Sequence, residues 1–154
     1  MDLCDLLAPD SIFSSLAATS KKHALQELAT IAAERTGLDS REIFNTLLQR
    51  ERLASTGLGR GIAVPHVKLA KLSSMVCLFA RLERPIDYDS HDGEPVDLLF
   101  LLLAPEHASG DHLKALASIS RVVREPSMID ALRNAPDVAA LRMALTMPAP
   151  SHAA

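Results

Sequence analysis

Asp97-Leu98-Leu99-Phe100-Leu101-Leu102-Leu103 runs through six consecutive large apolar residues. Its reading decides the fold. Without polar alternation, a strand made from it must be covered on both faces, as in the middle of an α/β sheet. Met75-Val76-Cys77-Leu78-Phe79-Ala80 has the same character. Met75–Leu82 and Val96–Leu103 are joined by too little chain for a helical crossover, so they are read as antiparallel neighbours and the sheet as mixed. The expectation is a single three-layer α/β sandwich: a mixed sheet of four or five strands with helices on both faces. Between the two runs lies Asp87-Tyr88-Asp89-Ser90-His91-Asp92-Gly93-Glu94. A calcium loop needs Gly at position six and Glu at twelve, and counting from Asp87 puts Asp92 and Leu98 there. The stretch is read as a polar turn, with His91 on the surface.

Upstream, Ile12–Ala17 reads as a first strand. Ser20 can cap a helix with an inner stripe of Leu25, Leu28 and Ala32, Ile31 beside it, and Gly37 as its C′ residue. Asp39 with Glu42 three residues on forms a capping box, and Leu38 can staple against Ile43. That helix turns Ile43, Phe44, Leu47 and Leu48 inward and carries Arg50 near its C-terminal end, where a cation is favoured by the helix dipole in any case. Arg52 reads the same way.

The chemistry concentrates in Ser55-Thr56-Gly57-Leu58-Gly59-Arg60-Gly61-Ile62-Ala63-Val64-Pro65-His66-Val67-Lys68. Alternate glycines leave the backbone free to adopt positive φ and to approach a ligand. Ile62-Ala63-Val64 is long enough for a short strand only. Pro65 fixes φ, and Val64 before it is driven extended. His66 therefore stands on a stiff stalk, as an aimed imidazole requires. Further on, Leu113, Leu116, Ala117, Ser120 and Val123 have helical spacing, which places His112 in a first turn. Unpaired N–H groups and the positive dipole end there favour anions and a neutral imidazole. Pro126 and Pro136 punctuate two more helices, with Ser127 and Asp137 available as caps. A metal site from His66, His112 and a carboxylate stays open on the residues alone, without the i, i+4 or HExxH pairing that marks zinc enzymes. The glycine run follows a helix and opens a strand, the reverse of a dinucleotide fingerprint. No P-loop and no Gly-x-Ser-x-Gly elbow is present.

Arg50-Glu51-Arg52-Leu53-Ala54-Ser55-Thr56-Gly57-Leu58-Gly59-Arg60-Gly61-Ile62-Ala63-Val64-Pro65-His66 resembles the active-site signature of phosphotransferase-system IIA proteins of the fructose/mannitol class. Within that class the chain most resembles the nitrogen-regulatory branch (the PtsN or IIA-Ntr proteins), from about Leu7 to Leu145. His112, in a His-Leu-x-x-Leu context, matches that family's second active-site histidine. Arg60 departs from the pattern, where a small or neutral polar residue (often Asn) is usual, and it is expected to add positive charge beside the site. The resemblance implies the same α/β sandwich and a phosphohistidine carrier, a phosphotransferase component and not a turnover enzyme of the ordinary kind. His66 would accept a phosphoryl group from an HPr-like donor (NPr in the nitrogen branch). His112 would hydrogen-bond the phosphoryl oxygens and Arg50 would offset their charge. Ser55, Thr56, Gly57, Gly59 and Gly61 would form a phosphoryl-contacting loop. No metal or organic cofactor is implied. Expected partners are regulated proteins such as kinases or transporters. The alternative is a sugar-specific IIA passing phosphate to a fructose- or mannitol-type IIB, and a third reading is a binding module that never carries phosphate.

The 154 residues suffice for one domain with a real core, read as residues 1–147 with a flexible tail at 148–154. A net charge of −3 without a basic run argues against nucleic acid as main partner. Cys4 and Cys77 lack CxxC spacing, and Cys77 reads as a core residue. The start of the chain lacks signal-peptide character and no apolar run spans a membrane, so a cytoplasmic location is expected. His23, His107 and His152 are read as solvated.

Overall fold

The computed structural model of the chain describes residues 3–107 and 110–146. The expected tail, with His152, lies outside them. Its elements are α1 (Leu3–Leu6), β1 (Ile12–Leu16), α2 (Lys21–Thr36), α3 (Ser40–Leu53), β2 (Gly57–Gly59), β3 (Ile62–Ala63), β4 (His66–Leu69), β5 (Val76–Ile86), β6 (Val96–Pro105), α4 (Asp111–Val123), α5 (Pro126–Asn134) and α6 (Val138–Thr146). They form a three-layer α/β sandwich around a mixed sheet. The two apolar runs are the central antiparallel pair, β5 and β6. The sheet order is β1-β5-β6-β3-β2, with β4 also pairing β6. Six strands result, not four or five, because the glycine stretch folds into β2 and β3 and His66 opens a strand of its own.

The strand period of two divides the core. Leu99, Leu101 and Leu103 of β6 join Leu25, Leu28, Ala32, Ile43 and Leu47 of α2 and α3. Leu98, Phe100 and Leu102 face the other way, against Ala115, Ile119, Leu132 and Leu141 of α4–α6. There Phe79 and Phe100 meet edge to face, centroids 5.0 Å apart. Each face buries enough apolar surface to dominate the local energetics, at about 25 cal/mol per Å².

The helix ends follow their caps. Ser20 Oγ accepts from His23 N at 3.1 Å, and Gly37 closes α2 with φ 75°. Asp39 accepts from Arg41 N, not from Glu42 N, and Glu42 instead faces Lys71 at 3.8 Å. Asp137 caps α6 through Ala140 N at 2.8 Å. Ser127 is no cap: Glu125 precedes α5 and Pro126 takes its first turn, where the missing N–H costs nothing. On α4 the buried residues are Ala115, Ser118, Ile119 and Val123, of which only Val123 belongs to the expected stripe. Leu113 is left 60 % exposed. Both stripes have helical spacing, and the sheet beneath selects between them. His23 is half-exposed and has partners, Thr19 and Glu27, whereas His91 and His107 are exposed.

Candidate active site

β4 runs parallel to β6 with His66 opposite Leu102 and Lys68 opposite Ala104. Paired residues of parallel strands share a face, so His66 and Lys68 point towards the layer that contains α4. Pro65 precedes the strand, and its carbonyl accepts from Leu102 N at 3.0 Å. The stalk expected from Val64-Pro65 is therefore stitched to the central strand. His66 Nδ1 lies 2.7 Å from the Val64 carbonyl oxygen. A carbonyl only accepts, so Nδ1 carries the proton. In the neutral ring the lone pair then sits on Nε2, at the opposite corner of the imidazole.

His66 lines a cleft of about 540 Å³. Helix α3 contributes Thr46, Gln49, Arg50 and Leu53 to it, β4 contributes Val67 and Lys68, and His112 comes from the first turn of α4. Residues sixty positions apart meet here because α3 ends over one side of β4 and α4 begins over the other. Arg50 Nη1 donates to Ala54 O at 2.8 Å, which leaves most of its five-donor fork available. Helix α4 starts at Asp111 with His112 in its first turn, so its positive dipole end favours an anion beside the cleft. The arrangement combines one nucleophilic nitrogen with a guanidinium, an ammonium, a second imidazole and a helix N-terminus. The sequence reading included Lys68 in the stretch but gave it no role, although its i, i+2 relation to His66 on a strand was the available signal. Among the described residues no three His, Cys, Asp or Glu side chains are grouped as metal ligands.

The glycine loop does not reach this cleft. Ile62 pairs with Leu98 and His66 with Leu102, so four residues of β6, about 13 Å, separate the two rungs. Gly57, Gly59 and Gly61 build the β2–β3 hairpin at the far end. Gly61 has φ 83°, and any Cβ there would collide with Arg133. Arg60 follows the hairpin away from His66, so its charge is not beside the site. It holds φ 58°, and its N–H donates to Asp92 Oδ2 at 2.9 Å. That bond, with a second from Glu94 N, holds the Asp92 carboxyl below its ordinary value. Ser55 Oγ donates to Tyr88 O at 2.9 Å and accepts from Gly57 N at 3.1 Å. Both the N–H and the hydroxyl of Thr56 donate to Glu51, at 2.9 and 2.5 Å. These groups bind one another.

The family described as "Phosphoenolpyruvate-dependent sugar phosphotransferase system, EIIA 2" matches residues 5–147. The chain belongs to the EIIA type-2 family. A nitrogen regulatory protein of Bradyrhizobium diazoefficiens is 53 % identical over 148 residues, 96 % of this chain and 97 % of that one. The crystal structure of nitrogen regulatory protein IIA-Ntr from Neisseria meningitidis superposes with TM-score 0.88 at 32 % identity, covering 94 % of this chain and 99 % of that one. IIA mannitol from Escherichia coli shares the fold at TM-score 0.76 and 20 % identity, over 90 % and 98 % of the two chains. This EIIA type-2 chain is thus a phosphotransferase-system IIA protein similar to nitrogen regulatory proteins. Among the described residues no helix is long and apolar enough to cross a membrane.

Proposed function

We propose that this EIIA protein is a cytoplasmic phosphoryl carrier whose acceptor is Nε2 of His66, and that its phosphorylation state controls regulatory partners. The observation that carries the reading is the 2.7 Å bond from Nδ1 to Val64 O, which leaves Nε2 as the basic nitrogen on a cationic cleft. The donor is a phosphohistidine on an HPr-like protein (NPr). The Nε2 lone pair forms the new P–N bond while the old one breaks, its electron pair returning to the donor's imidazole. Positive charge developing on the His66 ring is offset by donation from Nδ1–H to Val64 O. Arg50 and Lys68 offset the phosphoryl charge, and His112 with the α4 N-terminus binds its oxygens. Such transfers ask for positioning and electrostatics more than for covalent help.

The likeness to nitrogen regulatory proteins favours regulation over transport, and partners such as kinases or transporters fit that role. Sharing a fold with IIA mannitol supports the second reading, a sugar-specific IIA that passes phosphate to a IIB. The test is incubation with a phosphorylated HPr-like carrier. One acid-labile, alkali-stable phosphoryl group is expected, absent in His66→Ala. Labelling that survives in His66→Ala overturns the assignment. Rapid onward transfer to an isolated fructose- or mannitol-type IIB, with no partner sensitive to phosphorylation, would install the transport reading.

A further inference from the structure

Just behind the cleft a polar cluster is buried where an apolar one would be expected. Glu51, on the last turn of α3, is 6 % exposed. Its carboxylate accepts both donors of Thr56 and faces Lys21 Nζ of α2 at 3.2 Å. The same ammonium sits 4.5 Å over the ring of Tyr88, which is fully buried in the β5–β6 connection. Tyr88 OH is 3.3 Å from Thr56 Oγ1. Because the Thr56 proton goes to an acceptor-only carboxylate, the phenol is the donor in that contact. A buried carboxylate is costly unless fully bonded, and three other segments of chain, carrying Lys21, Thr56 and Tyr88, converge on this one.

The neighbour of Glu51 is Arg50, whose guanidinium is tied to Ala54 O. Ala54 ends α3 in extended geometry and lies inside the loop that the Glu51–Thr56 bonds close. Any shift of Thr56 against Glu51 moves Ala54, and with it the anchor of Arg50. We infer that the Glu51–Thr56–Lys21–Tyr88 cluster is a positioning device that holds Arg50 for phosphoryl transfer, with Thr56 as its keystone and not as a phosphoryl ligand. This rests on the reading of His66 as acceptor.

The experiment uses the full chain in five forms: wild type, Thr56→Val, Thr56→Ser, Arg50→Gln and the Thr56→Val/Arg50→Gln double variant. Phosphorylation by a phosphorylated HPr-like donor is measured against donor concentration. Thr56→Val should lower the rate at saturating donor about 10- to 100-fold, the scale of a misplaced catalytic group. The half-saturating donor concentration should stay within about twofold, because the docking surface is untouched. Thr56→Ser should restore the rate. The double variant should be no slower than Arg50→Gln alone, since the lost function is the same one. Losses that multiply in the double variant, or an unchanged rate in Thr56→Val, overturn the inference. A second readout needs no phosphoryl transfer: the Arg50 Nε–Hε resonance should be sharp in wild type and broadened or shifted in Thr56→Val. Tyr88→Phe, a milder change, should move it in the same direction and serves if Thr56→Val does not fold. If His66 proves not to be the acceptor, the resonance still decides whether the cluster holds Arg50, and an unmoved resonance in both variants sinks it.

Discussion

Arg60 occupies φ 58°, a left-handed conformation that costs an ordinary L-residue about 1–2 kcal/mol and an Asn less. Its side chain returns little, since Nη1 donates to Arg124 O only across a long 3.4 Å contact. Arg60→Asn should therefore stabilise the fold by about 0.5–1 kcal/mol, about 1–4 °C in Tm for a chain of this size. Thermal denaturation checks it, and a lower Tm would mean that the guanidinium contributes more than strain removes. The same residue separates what could be read from what could not. That position 60 favours residues tolerant of positive φ is a local property of a glycine turn. Where the turn points is not, so Arg60 was expected beside His66 and stands at the far end of the strand. His112 illustrates the converse. Its place in a first turn was legible from spacing, but its approach to His66 needs two elements to be brought together. His112→Ala should fold as wild type and be phosphorylated more slowly, by about 100- to 1000-fold if it binds phosphoryl oxygens as other oxyanion-binding groups do. A rate equal to wild type in both transfer directions would remove it from the site.

Hairpin β2–β3 was expected as a cradle for phosphate, and its glycines do not line the His66 cleft. Its Gly61 lies against Arg133, which donates to both carboxylate oxygens of Asp97. Gly61→Ala must strain φ and displace that guanidinium, and it should destabilise by about 2 kcal/mol or more. Below its melting temperature, however, its phosphorylation rate should match wild type. A large loss of rate in well-folded protein would return the loop to the active site. Strands β5 and β6 were legible because an unbroken apolar run has only one stable place, between two helical layers. Helices α2 and α3 were legible from caps that act within three residues. The stripe of α4 was not, since Leu113 and Ile119 are equally apolar and only the sheet beneath chooses between them. Glu51 escaped notice for a related reason: a carboxylate on a helix's last turn reads as solvated unless Lys21, Thr56 and Tyr88 are known to surround it.

Across the whole molecule, burial alone pushes the Cys77 thiol up to about 12 from 9.0. The Tyr88 phenol, buried and near the Glu51 carboxylate, is also held far above its usual value. The folded chain then keeps protons that the unfolded chain releases. Stability from Cys77 is complete below about pH 9 and is lost as the pH rises towards about 12. Urea titrations from pH 8 to 11 should show a steeper loss in wild type than in Cys77→Ala, and parallel curves would refute the linkage. The proposed phosphorylation would be a second such change, adding about −1.5 to −2 charges at neutral pH. It would fall within a surface where Leu53 and Leu113 are 84 % and 60 % exposed. A partner docked there should distinguish wild type from His66→Asp by about 5- to 150-fold in Kd, and equal binding to both by every partner would refute phosphorylation-dependent control. By itself the sequence determined the layered α/β class, the caps of α2, α3 and α6, the central strand pair and the identity of the chemical groups, because periodicity, capping and proline act over a few residues. Only the tertiary structure decided that Lys68 joins the cleft, that the glycines do not, and that Glu51 clasps Thr56. Those outcomes depend on strand register and on side chains far apart in the chain, which no local pattern encodes.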